Sequence, residues 1–570
     1  MPRAIAQNDV EAILKRYRSE RDKRLNAKGN AQYADAVGAL SRFSGTDPYA
    51  ADRAGRDPIC ADVEVLIVGG GFGGLMAAAR LKEVGVTDIR IIDAAADFGG
   101  TWYWNRYPGV QCDIESYAYL PLLEETGYVP RHRYAFGDEI LAYSQLLGRE
   151  YDLYGKACFQ TKVLDVTWDE ARARWLVSTD RGDRFAARFF LMAASRTTRL
   201  KLPGIPGIEK FKGHSFHTSR WDYAYTGGGI NEDLDRLSDK RVAVIGTGAT
   251  AVQLIPRVAQ TAGQLYVFQR TPSSVGERYN RETDVEWYKA QPPGWQERRR
   301  AQFIDATSGA GDDSEIRDGW TEMGKILWDT RPAHPETPEE IAKRAILADI
   351  EVMNARRARI DAIVADHATA EKLKPWYNLF CKRPTFNDEF LPAFNRSNVE
   401  LVDVSGDNPI TEITERSIIV GDQEYPVDLI IYATGFQIIG SLEQRIEFPI
   451  TGRGGVTLQQ HWAQGLRTLH GLTAHNFPNW FYIGQGQNAI AANYTATVDD
   501  QAKHLAYIIS AVRARGLAVL EPTAEAEQAW IDEIARARDA ALRSPGFYED
   551  CTPGYYNNEG QGGVSLWNEA

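Results

Sequence analysis

Residues 63–74 read VEVLIVGGGFGG. An apolar run of this kind suits a strand of a parallel sheet, covered on both faces and free of in–out alternation. Gly69, Gly71 and Gly74 then form G-x-G-x-x-G at the head of a helical pattern, GLMAAARLKEVG. In such a turn the first glycine makes the bend and the second lets a pyrophosphate approach the backbone. The third lets helix and strand pack closely. The phosphate charge then meets the positive end of the helix. The next strand, IRIIDA, carries Asp93, 24 residues beyond Gly69. A carboxylate there accepts hydrogen bonds from ribose hydroxyls. Glycines also make ordinary turns, so the strand before and the acid after carry the reading: a dinucleotide site whose acid would repel a 2′-phosphate, suited to FAD.

The same unit recurs at KRVAVIGTGATAVQLIPRVA, residues 240–259, followed by LYVFQR at 265–270. Gly246, Gly248 and Ala251 give G-x-G-x-x-A, and the residue 24 beyond Gly246 is Arg270. An arginine at that offset meets the 2′-phosphate of NADP, which an acid would repel. The competing reading is a solvated strand-end arginine. Opposite charges at one offset imply two different dinucleotides, FAD at the first turn and NADPH at the second. A flavin beside a nicotinamide accepts hydride and must pass its electrons on. The five cysteines contain no C-x-x-C, which removes a flavin disulfide reductase and leaves oxygen as the acceptor. They read as thiols in a reducing, cytoplasmic setting.

The rest of the chain fits an α/β protein with two Rossmann-like dinucleotide-binding domains and a helical insertion. The 570 residues allow three or more units. Residues 1–60 read as an N-terminal helical arm, with Asn8 as cap, Glu11 three residues on, and an apolar stripe of Val10, Ile13, Leu14 and Tyr17. Residues 61–200 and 434–570 are assigned to a discontinuous FAD domain and 201–433 to the NADP domain. The insertion spans about 280–375. In it, Thr337-Pro338-Glu339-Glu340 is a capping box before a long amphipathic helix. A net charge of −12 argues against a nucleic-acid partner. No apolar run suits a membrane span, and the first residues lack a signal-peptide core. His214 and His217 have no third ligand nearby, so no metal is expected. Nothing in the sequence sets an oligomeric state.

Four ordered motifs then resemble the type I Baeyer–Villiger monooxygenases. FKGHSFHTSRWD at 211–222 matches the family fingerprint through Phe211, Gly213, His217, Trp221 and Asp222. GGTWYWNRYPGVQCDIES at 99–116, ATGF at 433–436 and the Lys382-Arg383 pair in NLFCKRPTF complete the set. The resemblance implies oxygen insertion beside a ketone carbonyl through a C4a-peroxyflavin, giving an ester or lactone from ketone, O2 and NADPH. It implies that Arg383 reaches the flavin as the catalytic cation, oriented by Asp113. It carries FAD contacts to Gly100, Thr101, Trp102, Tyr119 and Val163. NADP contacts carry to Thr247, Gly248, Ala249, Thr250, Gln253, Arg270, Thr271 and Lys382. It gives His217 a placing rather than a catalytic role. The ending and the arm resemble the subgroup acting on large cyclic ketones. Three departures stand out: Asp93 stands where the family often has Glu, Gln111 replaces an expected arginine, and CTPGYYNNEG at 551–560 only loosely matches the loop that closes over NADP in relatives. A flavin monooxygenase oxidising nitrogen or sulfur is the alternative, and it would not need Arg383.

Overall fold

In the computed structural model two sheets meet across one long cleft. It describes residues 7–541 and 550–561, apart from 46, 54, 194–198, 312–314, 439–445 and 489–490. The first sheet is centred on Cys60–Val68, which runs parallel to Ile89–Ile92 on one side and Arg184–Met192 on the other. Val65, Leu66 and Ile67 are wholly buried, as their two-sided apolar pattern requires. Each such side chain contributes about 1.5–3 kcal/mol relative to exposure. An antiparallel pair, Val163–Asp169 and Arg174–Thr179, extends this sheet beside the first half of Arg184–Met192. Trp480–Tyr482 pairs in parallel with its second half. Helix Phe72–Glu83 packs on helix Tyr494–Ala514, tied by Arg80 to Asp499 at 3.0 Å.

The second sheet is all-parallel, in the order Val399–Asp403, Gln264–Gln269, Arg241–Ile245, Leu429–Tyr432, His214–His217. Between the first two in space, the chain departs into helices Val285–Lys289, Trp295–Ser308, Glu322–Asp329, Pro338–Ile363 and His367–Leu373. The Thr337 hydroxyl and the Glu340 carboxylate close the capping box at the start of Pro338–Ile363. Ahead of both sheets, helix Gln7–Asp22 buries Tyr17. Asn8 lies inside this helix and does not cap it, because the helical hydrogen bonding already extends to Gln7. Strand Tyr33–Ala34 pairs with Leu202–Pro203, which stitches the arm onto the second half of the molecule.

The cysteine reading is corrected. Cys381 and Cys551 form a disulfide across 170 residues, while Cys60, Cys112 and Cys158 are free. No local motif marks this pair; folding of the 550–561 segment onto the loop before Lys382 brings the two sulfurs together. The cysteines therefore give no argument for a reducing compartment. Among the described residues no helix is long and apolar enough to cross a membrane.

Candidate active site

Both glycine-rich turns are built as their spacing demands. Gly69 adopts φ +115°, a conformation open to glycine and strained for other residues. A Cβ on Gly74 would lie 1.9 Å from the Gly69 carbonyl oxygen, so helix and turn touch only because that atom is missing. Helix Phe72–Glu83 starts at Gly71 and helix Ala249–Thr261 at Gly248, and neither receives a side-chain cap. Their first amides are thus left for a ligand, the arrangement that suits a pyrophosphate.

A cavity of about 1310 Å³ runs from the first turn to the second. That exceeds the range of about 300–1,000 Å³ usual for one small ligand. Gly69, Gly71, Asp93, Gly100, Thr101, Trp102, Tyr119 and Val163 all line it, and so do Ala249, Thr250 and Gln253. Asp93 accepts from the backbone amides of Gly70 and Ala95, and burial raises its carboxyl above the ordinary range. Two amide bonds leave a carboxylate acceptor capacity for a ribose hydroxyl. Trp102 Nε1 donates to the Tyr119 hydroxyl at 2.9 Å, fixing both rings at the wall.

Arg383 and Asp113 meet in the same cavity. The guanidinium donates from Nη2 to Asp113 Oδ1 at 2.6 Å and Oδ2 at 2.9 Å, and from Nε to Oδ2 at 3.2 Å. Burial opposes its charge, but Asp113 more than offsets this and raises Arg383 above its ordinary value. The result is a permanent cation in a defined orientation. Trp320 completes the mount. Its ring lies 4.9 Å from the guanidinium, and its Nε1 donates to the Asp113 carbonyl at 3.0 Å.

The second turn is held from below. Thr247 donates to the Thr271 carbonyl at 2.9 Å, and Ser273 donates to the Thr247 carbonyl. The Thr271 hydroxyl is buried without a hydrogen-bond partner among the described residues, an orphan that a ligand phosphate would satisfy. Arg270 and Lys382 lie together beyond it; burial, with Arg270 beside it, pushes the Lys382 ammonium down to about 8. Uncapped amides, an orphan hydroxyl and paired cations fit NADP, and the first turn with its cavity fits FAD.

Residues 67–127 match the NAD(P)-binding Rossmann-like domain. Over 97% of its length the chain is 48% identical to a Baeyer-Villiger monooxygenase of Streptomyces coelicolor, covering 92% of that protein. It is also 48% identical to the neopentalenolactone D synthase of Streptomyces avermitilis, with 97% and 93% coverage. The solved polycyclic ketone monooxygenase of the fungus Thermothelomyces thermophila superposes with a TM-score of 0.90 at 38% identity, covering 97% of this chain and 93% of that one. The chain belongs to the type I Baeyer–Villiger monooxygenases. A steroid monooxygenase solved with NADP is 31% identical at a TM-score of 0.71, over 85% and 92% of the two chains. This Baeyer–Villiger monooxygenase is accordingly an FAD- and NADPH-dependent flavoenzyme of the α/β class, acting on ketones.

Within the monooxygenase, the fingerprint is structural. His217 is fully buried; its Nδ1 accepts from the Ser219 amide, so Nε2 carries the proton and donates to the Gly435 carbonyl at 3.0 Å. It thereby joins strand His214–His217 to the ATGF turn. Phe211 packs against Gly213, where a Cβ would lie 2.4 Å from the ring. The Trp221 indole donates to Thr226 at 3.0 Å. Asp222 caps the short helix Tyr223–Thr226 and lies 2.9 Å from His214 Nε2. The amide of Gln253 is committed to the other signature loop. It accepts from the Tyr107 hydroxyl at 2.8 Å and donates to the Gln111 carbonyl at 2.8 Å. It braces the two nucleotide regions against each other. Where the family pattern has an arginine, Gln111 instead accepts from Arg278, a cation supplied from a distant segment.

Burial, with Arg220 nearby, pushes His217 down to about 3, against an unfolded value of about 6.5. The unfolded chain therefore binds a proton that the native one refuses, and stability falls with pH below about 6.5. The slope from this one group approaches 1.4 kcal/mol per pH unit until the folded value is reached. His217→Gln, which keeps a neutral donor, should lose less melting temperature than the wild type between pH 7.5 and 5.5. Parallel losses in the two proteins would show that His217 is not the group that titrates.

Proposed function

We propose that the natural substrates are bulky, fused-ring ketones, converted to lactones with NADPH and O2. We also propose the division of labour behind this: residues 61–200 and 434–570 for FAD, 201–433 for NADP, and the residues of the cavity wall as their contacts. Bound and reduced, FAD would supply the electrons that activate O2 toward the ketone carbonyl. The protein supplies the rest. Asp113 and Trp320 hold the Arg383 guanidinium in the cavity wall, where it stabilises negative charge developing on oxygen and on the ketone carbonyl. Arg270, Lys382 and the Gly248 helix start bind the dinucleotide phosphates. Trp102 and Tyr119 line the ring pocket and exclude water.

The observation that carries this reading is the bidentate Arg383–Asp113 pair in one wall of the cavity that both glycine turns open into. The bulky substrate class is supported by the size of the cavity, which Ile304, Trp320 and Phe380 line together with Arg383, and by the polycyclic ketone and steroid monooxygenases among the similar structures. Because NADPH is regenerated in the cytoplasm, we place the enzyme there. A ketone panel scored by product analysis tests the assignment. Fused bicyclic and polycyclic ketones should yield lactones with kcat/KM well above that of cyclohexanone. Preference for small monocyclic or open-chain ketones would contradict it.

A further inference from the structure

Asp113 and Arg383 come from segments far apart in the chain, and a short turn of the helical insertion touches both. Trp320 rides on that turn, stacked on the Arg383 guanidinium and donating to the Asp113 carbonyl. What aims Trp320 is Asp318. Its Oδ1 accepts from the Trp320 amide at 2.9 Å and from the Thr321 amide at 3.2 Å. The Thr321 hydroxyl closes the turn, accepting from the Asp318 amide at 3.0 Å and donating to the Asp318 carbonyl at 3.1 Å.

The turn is seated on both sides. On one side the Tyr134 hydroxyl donates to Asp318 Oδ2 at 3.3 Å, and Arg133 Nη2 donates to the Arg317 carbonyl at 3.1 Å. Residues 133 and 134 belong with the signature loop, since the Ser116 amide donates to the Arg133 carbonyl at 2.6 Å. On the other side the turn packs on Phe386, just past Arg383. A Cβ on Gly319 would lie 2.0 Å from that ring, so the approach depends on glycine. The Trp320 ring itself tilts against Phe386 with centroids 5.6 Å apart.

We propose that Asp318 is a positioning residue for oxygen insertion: through Trp320 it sets the Asp113 loop and the Arg383 segment in register, and so fixes the guanidinium in the pocket wall. This rests on the reading of Arg383 as the cation that stabilises the oxyanion. Asp318 is partly buried. Burial, with Glu115 nearby, raises its carboxyl to about 7, against the pull of Arg133 and the two amides. The other groups facing it are the Tyr134 hydroxyl and, behind Glu115, Arg299, which pairs with that carboxylate. Amide bonds to a carboxylate are roughly twice as strong as those to a neutral acceptor. Above about pH 7 the charged carboxylate therefore grips the turn, and below it the protonated acid lets Trp320 loosen.

The test uses the FAD-loaded enzyme and one fused bicyclic ketone that it turns over. Ester formed per NADPH consumed is measured from pH 6 to 8.5, beside anaerobic flavin reduction. In the wild type the ester yield should fall as pH drops through about 7, with no matching fall in reduction. Asp318→Asn keeps an oxygen for the amides but no charge. It should lower the yield at pH 8 about fivefold, the worth of one hydrogen bond, flatten the acid limb and leave reduction unchanged. An unchanged yield with the limb intact would overturn the proposal, as would an equal fall in yield and reduction. Trp320→Phe keeps the ring and loses the bond to the Asp113 carbonyl. Its loss should not add to that of Asp318→Asn, because both act on one contact; additive losses would contradict action through Trp320. Arg383→Ala separates the two levels. If it spares ester formation, the cation reading fails and the positioning role with it. If it removes ester formation while Asp318→Asn changes nothing, the positioning role alone is wrong. Should the asparagine variant not fold, the wild-type profile decides: an ester yield flat from pH 6 to 8.5 overturns the proposal.

Discussion

Arg383→Ala is expected to lower ester formation by about 10²- to 10³-fold, the loss seen when one preorganised donor to a developing oxyanion is removed. Reduction of FAD by NADPH should stay within a few-fold of the wild type, since hydride transfer forms no oxyanion for this guanidinium to stabilise. NADPH would still be consumed, with its electrons lost to oxygen rather than to product. Truncation also leaves Asp113 without its bidentate partner, so a lowered melting temperature is part of the expected result. Arg383→Lys separates charge from geometry. It keeps a cation but not the planar fork that matches both Asp113 oxygens, so it should recover stability ahead of ester formation. Ester formation retained in the alanine variant would refute the assignment of Arg383 as the catalytic cation.

The second large effect concerns cofactor choice. Arg270→Ala should raise KM for NADPH by about 10- to 150-fold, the worth of one or more charge-assisted hydrogen bonds of about 1.5–3 kcal/mol. KM for NADH should barely move, because on the proposed assignment Arg270 meets no part of the nucleotide but the 2′-phosphate. Steady-state NADPH and NADH oxidation checks this directly. Equal changes for both nucleotides would mean that Arg270 acts on the fold, through Gln32 and Tyr33, and not on the phosphate.

Much of this molecule was readable before any coordinates, for a local reason. Gly69, Gly71 and Gly74, or Gly246, Gly248 and Ala251, act within one turn, and the acid or arginine 24 residues on lies one strand away. Such short-range constraints leave a pattern. What stayed hidden depends on pairings between distant segments. Trp480–Tyr482 adds to a sheet whose neighbouring strand ends at Met192, and no periodicity announces that partnership. Cys381 and Cys551 are separated by 170 residues, so their bond leaves no spacing motif. Trp320 sits in a stretch of mixed polarity, where an aromatic residue reads as insertion core; only the fold brings it to Arg383 and Asp113. Gln253 stands one helical turn past Gly248, as a nucleotide contact would, yet its amide is spent on Tyr107 and Gln111. The arm read as packing also supplies Gln32 and Tyr33 around Arg270. Glu559 was invisible because a lone acid carries no signal in the sequence; only the fold sets it between Lys201 and Arg270.

The proposed catalysis depends on a fixed cation facing the flavin. The most direct measurement is a crystal structure of the protein holding FAD and NADP+. Arg383 should project its guanidinium to within hydrogen-bond reach, about 3 Å, of the flavin or of the oxygen-binding space against it, with Asp113 still bound. A guanidinium turned away from the ring, separated from it by protein, would contradict the account.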